Sequence, residues 1–257
     1  MKQDMKQDKI SRYFDRIGYT GSIAPTLATL EALQLAHLYH VPYENLDIIR
    51  GIPISLNVDD VYKKVVTEGR GGYCFELNAL FAWLLRELGF KVEDYLARFL
   101  LDEPAIPMGR HHVLGVAIDD NMYMADVGVG LTIPRRPFPL IPGVEDHQHG
   151  EVYKLETDPF LGYVLYEKKP TGWRELYAFT LERKIAADYI APSFYCEKHP
   201  DSIFNKQDMV HIFTREGRKS IDGRVFKVFG PSGVDVVEIG SDAEYRQVLQ
   251  DHFGIWI

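Results

Sequence analysis

The chain has 257 residues, with 46% hydrophobic and 26% charged residues, the balance of an ordinary globular protein with enough length for a sizeable core. Its formal net charge of −8 argues against a general nucleic-acid binder, which needs a basic face to displace counterions. No run of 18 apolar residues suggests a membrane span, and the polar start MKQDMKQDKI lacks the apolar stretch of a secretory signal, so a cytoplasmic protein without a membrane partner is expected. The two cysteines, Cys74 and Cys196, are then not a disulfide framework, and two thiols alone do not build a structural zinc site.

The KQDMKQDK doublet reads as a ragged tail, and the remainder of the first ninety residues reads as helical. Thr26 is a candidate N-cap for a helix whose stripe is Leu27, Leu30, Leu33 and His37. Asn57 caps a second helix through Val58, Val61, Val65 and Val66, with Gly69 at its end. Gly71-Gly72-Tyr73-Cys74 then leads into an apolar helix-forming run from Phe75 to Leu88, closed by Gly89. After Gly89 the period changes to two. Strands are expected over 91–101, 112–119 and 122–127, then a proline-rich loop over 131–150. Further strands are expected around 153–155, 163–167 and 176–181, a mixed stretch over 182–220, strands over 225–229 and 234–239, and a last helix over 241–253. Helices, then strands, then a mixed end point to an α+β fold, not to alternating βαβ units.

Chemistry is most concentrated around Cys74. A helix start stabilises a thiolate, and the preceding glycines allow backbone to approach closely. The competing reading is a small core residue, the usual fate of a lone cysteine. A nucleophile needs a base and a group that orients it. On the expected strand from His112, that side chain shares an apolar face with Leu114, Val116 and Ile118, whereas His111 points the other way and reads as solvent-facing. Asp126 lies among Met122, Met124, Val127 and Val129, where a carboxylate needs a partner. A two-residue turn at Asp120-Asn121 would leave Asp126 on the wrong face. An odd-length loop or bulge pairs Leu114 with Asp126 and puts Asp126 diagonally beside His112, roughly 7–8 Å away. That second register is the expectation.

Other features are weaker. Glu145-Asp146-His147-Gln148-His149 has metal-like residue types but no distant ligand set, and no metal is expected. Arg215, Arg218 and Lys219 suit either a phosphate or a solvated turn. Gly128-Val129-Gly130 is too short for a dinucleotide fingerprint, although a cofactor could approach its backbone. Cys196 reads as structural.

The segment Arg70-Gly71-Gly72-Tyr73-Cys74-Phe75-Glu76-Leu77-Asn78 resembles the cysteine motif of the arylamine N-acetyltransferase family. His112-Val113-Leu114 looks like its histidine strand, and Ala125-Asp126-Val127-Gly128-Val129-Gly130 like its aspartate motif. Val41-Pro42-Tyr43-Glu44-Asn45-Leu46 and Arg16-Ile17-Gly18 match upstream, and Pro200-Asp201-Ser202-Ile203-Phe204 matches more loosely downstream. The resemblance implies an N-terminal helical bundle, a central antiparallel β-barrel and a C-terminal α/β lid on a cysteine-protease-like core. Along this chain these would span residues 1–89, 90–190 and 191–257. It implies a catalytic Cys74–His112–Asp126 triad and ping-pong acetyl transfer from acetyl-CoA to an arylamine, arylhydrazine or hydrazide, chemistry suited to xenobiotic metabolism. It also implies a buried ionic support of Arg16, Glu44 and Arg70. Tyr43 and Val129, at the family's acceptor site, stand where the family usually has phenylalanine and a bulky aromatic. Candidate CoA contacts are Gly109, Gly128, Gly130, Thr214 and Ser220. The same Cys–His–Asp order also serves transglutaminase-like or papain-like acyl enzymes and amide synthases, and a non-catalytic binding protein could retain the fold.

Overall fold

A computed structural model describes residues 2–101, 103–130 and 133–257. The first helix, α1 (Lys2–Ile17), includes the doublet expected to be a ragged tail; it docks through Ile10, Tyr13 and Ile17, an i, i+3, i+7 stripe that is fully buried. In α2 (Leu27–His40), Thr26 caps the start by accepting from the Thr29 N–H, and the buried positions follow the helical stripe expected from sequence. A two-residue strand, β1 (Tyr43–Glu44), and a short helix, α3 (Leu46–Ile49), follow. Asn57 caps α4 (Val58–Tyr62), which widens into a π-helical turn over Lys63–Thr67 before Gly69 takes a positive φ. Helix α5 (Cys74–Glu87) starts at the nucleophile candidate itself; ten of its residues are buried, as expected for a helix apolar nearly all round.

Eight strands form one antiparallel sheet: β2 (Lys91–Phe99), β3 (His111–Ile118), β4 (Asn121–Ala125), β5 (Phe138–Pro139), β6 (Glu145–Gln148), β7 (Glu151–Asp158), β8 (Gly162–Lys169) and β9 (Gly172–Phe179). Their order, β5-β4-β3-β2-β9-β8-β7-β6, curls into a nearly closed barrel. Side chains bridge its seam: Gln148 of β6 accepts from the Arg136 N–H just ahead of β5, and the Arg136 guanidinium reaches Asp146. The stretch expected to be one proline-rich loop therefore carries two short strands.

Helix α6 (Ile190–Lys198) leads to a second sheet built from β10 (Met209–Phe213), β11 (Arg218–Asp222), β12 (Val225–Gly230) and β13 (Gly233–Glu238), with α7 (Asp242–Phe253) packed against it. Ser241 caps α7 and Gly254 ends it in the left-handed conformation. Strand β1, from the helical half, pairs with β10 at the edge of this sheet, Tyr43 opposite His211 and Glu44 opposite Val210. Asn45 reinforces the junction: its amide donates to the carbonyls of Phe204 and Gln207 and accepts from the Met209 N–H. No helix among the described residues is long and apolar enough to cross a membrane.

An ionic cluster lies beneath α5. Arg70 pairs with Glu44 at 2.8 Å and with Asp47 at 2.9 Å. Lys64 pairs with Asp47 at 2.7 Å and with Glu76 at 2.8 Å. Arg16, expected in this cluster, is elsewhere: its guanidinium donates to the carbonyls of His40, Val65, Gly69 and Arg70, so it braces the loop backbone. Three carboxylates against two cations leave the cluster one negative charge in excess. Burial accordingly pushes the Glu76 carboxyl up to about 7, although Lys64 pulls it down. The Glu76 side chain also accepts from the Tyr73 N–H at 3.1 Å, which fixes the backbone immediately before Cys74. Removing one cation leaves buried carboxylates without compensation, so Lys64→Met should lower stability by about 3 kcal/mol in urea denaturation.

Candidate active site

Cys74 occupies the first position of α5, only 2% exposed, with Sγ 3.8 Å from the Arg110 carbonyl. Burial pushes its thiol well above the ordinary value, and Cys196 adds to the rise; backbone N–H groups of His112 and Phe75 donate to the sulfur and act in the opposite direction. A thiolate here therefore requires a neighbouring base to take the proton.

The histidines do not sit as expected. The β3–β4 hairpin turns through two residues, Asp119 and Asp120, with Asp119 at φ 52°, and pairs Ile118 with Asn121 and Leu114 with Ala125. The turn lies one residue earlier than the two-residue alternative weighed from sequence, and neither a bulge nor an odd loop is present. This register places Asp126 on the face of His111 and Val113. His111, expected in solvent, is fully buried, and its Nε2 lies 2.7 Å from Asp126 Oδ2. His112, the expected partner of Asp126, faces the other side of β3. Its Nε2 lies 2.9 Å from Asp94 Oδ1 and its ring packs on Tyr189 with centroids 4.4 Å apart. Burial lowers the His112 pKa, opposed by Asp94.

Asp126 is 1% exposed and heavily bonded. Its Oδ1 accepts from Asn78 Nδ2 at 2.8 Å and from the Gly128 N–H at 2.9 Å; its Oδ2 accepts from the Tyr177 hydroxyl at 3.1 Å and faces His111. Burial opposes ionisation, but the His111 imidazole and these donors hold the carboxyl below its usual value. Because the carboxylate accepts, His111 Nε2 carries the hydrogen, which leaves Nδ1 as the lone-pair nitrogen of the neutral ring. That Nδ1 is buried and has no hydrogen-bond partner. Phe99 and Tyr177 hold the ring, with centroids at 4.8 and 5.3 Å.

Asn78 lies one helical turn beyond Cys74 and ties the parts together. Besides Asp126, its Nδ2 reaches the His112 carbonyl at 2.6 Å, and its Oδ1 accepts from the Val127 N–H at 2.9 Å. Sequence reasoning gave Asn78 and Tyr177 no role; Asn78 stood in the cysteine motif, whereas nothing local to Tyr177 marks it.

A cavity of about 180 Å³ opens beside this group, and Tyr43, Phe99, Arg110, Val129, Phe204 and His211 contribute to its wall. The two expected acceptor-site residues, Tyr43 and Val129, thus border it, as do Gly128 and Gly130. Both glycines are cradles: a Cβ on Gly128 would lie 2.7 Å from Cys74 Cα, and one on Gly130 would lie 2.7 Å from the His211 ring and 2.9 Å from that of Tyr43. The other expected CoA contacts lie apart from this wall. Gly109 packs on Leu96, Thr214 Oγ1 accepts from the Gly217 N–H, and Ser220 is buried against Asp222. In the basic cluster, Arg218 stacks on Phe229 and Lys219 reaches His252. The acid- and histidine-rich segment becomes β6, and no metal-binding cluster occurs among the described residues.

A thiol at a helix start with an imidazole–carboxylate pair on the adjoining strands is the constellation of cysteine-dependent acyl-transfer proteins. The family profile described as N-acetyltransferase matches residues 26–257. The chain is 34% identical to the arylamine N-acetyltransferase of Mycobacterium tuberculosis over 96% of its own length and 89% of that protein's. It is 36% identical to the Escherichia coli arylamine N-acetyltransferase over the same shares. Among solved structures, the Salmonella typhimurium arylamine N-acetyltransferase superposes with a TM-score of 0.92 at 28% identity, covering 96% of this chain and 91% of that one. The Mycobacterium marinum enzyme in complex with CoA gives 0.89 at 32% identity, covering 96% and 92%. The chain belongs to the arylamine N-acetyltransferase family and is an acyltransferase.

Since a Cβ at residue 128 meets both the Cys74 backbone and Asn78, Gly128→Ala should destabilise the fold by about 1–3 kcal/mol. It should also slow iodoacetamide labelling of Cys74, measured by mass spectrometry under native conditions.

Proposed function

We propose that this chain transfers an acetyl group from acetyl-CoA to an arylamine, arylhydrazine or hydrazide through an acetyl-Cys74 intermediate. The observation that carries the reading is the buried His111–Asp126 pair, with an unpartnered imidazole nitrogen on the residue whose two chain neighbours, Arg110 and His112, both contact the Cys74 sulfur through their backbone. His111 takes the place that sequence reasoning assigned to His112. In this mechanism Asp126 fixes the Nε2–H tautomer of His111, and Nδ1 takes the proton from Cys74. The thiolate attacks the thioester carbonyl carbon. The backbone N–H groups of Phe75 and His112, which donate to the Cys74 sulfur, serve as donors to the developing oxyanion in this mechanism. On collapse the carbon–sulfur bond to CoA breaks, and the imidazolium proton leaves with the CoA sulfur. An aromatic amine, neutral at pH 7, then attacks the acetyl-cysteine; His111 receives the amine proton and the Cys74 thiolate is released.

The cavity and the Gly128-Val129-Gly130 backbone beside Cys74 form the binding side for both substrates in turn, as ping-pong exchange requires. Relatives named arylamine N-acetyltransferase and a relative bound to CoA support this choice over an amide synthase, a transglutaminase-like enzyme or a non-catalytic binding protein. Thr214, Ser220 and Gly109 remain candidates for CoA contacts away from the reacting sulfur.

Acetyl-CoA alone should add one acetyl group to Cys74, seen in the intact mass and in the labelled peptide, and an arylamine should remove it. Cys74→Ala should abolish both events; turnover near wild type in that variant would end the proposal. His111→Gln should slow transfer about a thousandfold, and Asp126→Asn about ten-thousandfold through the wrong tautomer. His112→Gln should retain most of the activity; the reverse ranking of the two histidine variants would return the base to His112.

A further inference from the structure

A second cavity, of about 140 Å³, lies behind the nucleophile, on the side of β3 away from Asp126. Phe75 and Ala79 of α5 form one wall, His112 and Asp94 of the barrel another, and the short turn that carries Tyr189 a third. None of its wall residues borders the cavity beside Cys74. The volume is close to that of a protein cavity that takes one benzene ring.

His112 is 2% exposed, and this cavity is the open space it borders. Its Nε2 lies 2.9 Å from Asp94 Oδ1. Burial opposes ionisation of Asp94, but His112 and Arg86 hold its carboxyl below the usual value. The carboxylate therefore accepts, Nε2 carries the hydrogen, and Nδ1 is the lone-pair nitrogen of a ring that burial keeps neutral. That Nδ1 makes no hydrogen bond among the described residues, and unlike Nδ1 of His111 and of His211 it keeps accessible surface. Arg86 also borders the cavity. Its Nη2 is engaged by Asp94 and the Val92 carbonyl, whereas its Nε and Nη1 make no hydrogen bond among the described residues.

An unpaired acceptor in a mostly apolar recess is costly unless something donates to it. Water donates but adds no apolar contact. A ligand that displaces water must bring its own donor hydrogen, and it gains by covering Ala79 and the rings of Phe75 and Tyr189, whose centroids lie 5.6 Å apart. Charge narrows the class further. Asp94 already balances Arg86, so a charged ligand finds no free counterion. A neutral hydroxyl both donates to an imidazole nitrogen and accepts from a guanidinium.

We propose that this rear cavity is a binding site, separate from the acceptor side, for a neutral one-ring aromatic of the phenol class, held by a hydrogen bond from its hydroxyl to His112 Nδ1. The occupant touches the support of the nucleophile, because the His112 N–H donates to the Cys74 sulfur and its carbonyl accepts from Asn78. The test titrates phenol, neutral at pH 7, into protein labelled with 15N at histidine. Anisole, which lacks the donor hydrogen, and benzoate, which is charged, are compared with it. The side-chain nitrogen signals of His112, identified by their absence in His112→Gln, should move saturably with a Kd on the order of 1 mM. Anisole and benzoate should bind at least about tenfold more weakly. Ala79→Leu and, at the exposed rim, Ala186→Leu add atoms to the cavity and should each weaken phenol by about tenfold. The histidine spectrum of each variant shows whether it is folded. Val129→Phe, which narrows the acceptor cavity, should leave the phenol Kd read at His112 unchanged. Phenol that shifts His111 or His211 but not His112 sits on the acceptor side and overturns the inference. Anisole or benzoate binding as tightly as phenol overturns it too, as does a phenol Kd unchanged in both cavity-filling variants. The titration uses no acetyl-CoA, so its outcome is independent of the acetyl-transfer reading.

Discussion

The site depends on a buried carboxylate that stays ionised. Asp126 has almost no access to water, so its charge survives only because Asn78, Tyr177, the Gly128 N–H and His111 all face it. Those donors come from α5, β9, β3 and the segment after β4. One charge therefore fixes the approach of the helix to the barrel, the tautomer of the imidazole and the backbone conformation at Gly128. With any donor lost, the others would surround a carboxylate that favours its neutral form, and the orientation of His111 would go with it.

A second charged group does a comparable task one layer below. The cluster of Lys64, Arg70, Glu44, Asp47 and Glu76 joins the π-helical turn, the segment around β1 and the first turn of α5. Glu76 links this cluster to the Tyr73 N–H, the residue before the nucleophile. The position of Cys74 is thus set from below by ion pairs and from the barrel side by Asn78.

Much of this was legible in the sequence. The caps at Thr26 and Asn57 acted where side-chain chemistry required, and Cys74 was expected at the start of the helix that proved to be α5. The short strands over 209–222 were not legible, because Met209–Phe213 is apolar at all but His211 and Arg218–Asp222 is polar at all but Ile221, so neither five-residue stretch shows a period of two. The histidine assignment failed for a sharper reason. Adjacent residues on a strand face opposite sides, so a one-residue error in the turn exchanges His111 for His112. Apolar neighbours could not arbitrate, because both faces of β3 are buried: seven of its eight residues are buried and only Ala117 is intermediate. Arg16 was misplaced because an arginine braces backbone carbonyls as readily as it pairs with a carboxylate, and sequence carries no mark of which it does.

The pairing of β1 with β10, stitched by Asn45, has a consequence for how the protein is made. Residues 43–45 bond to residues 204–211, a separation of more than half the chain. During synthesis the helical half and the barrel can form while Tyr43, Asn45 and the apolar wall near Cys74 still lack their partners. Until β10 emerges, a nascent chain would expose the nucleophile's surroundings to water. The strand that seals them is therefore translated only after the helical half and the barrel.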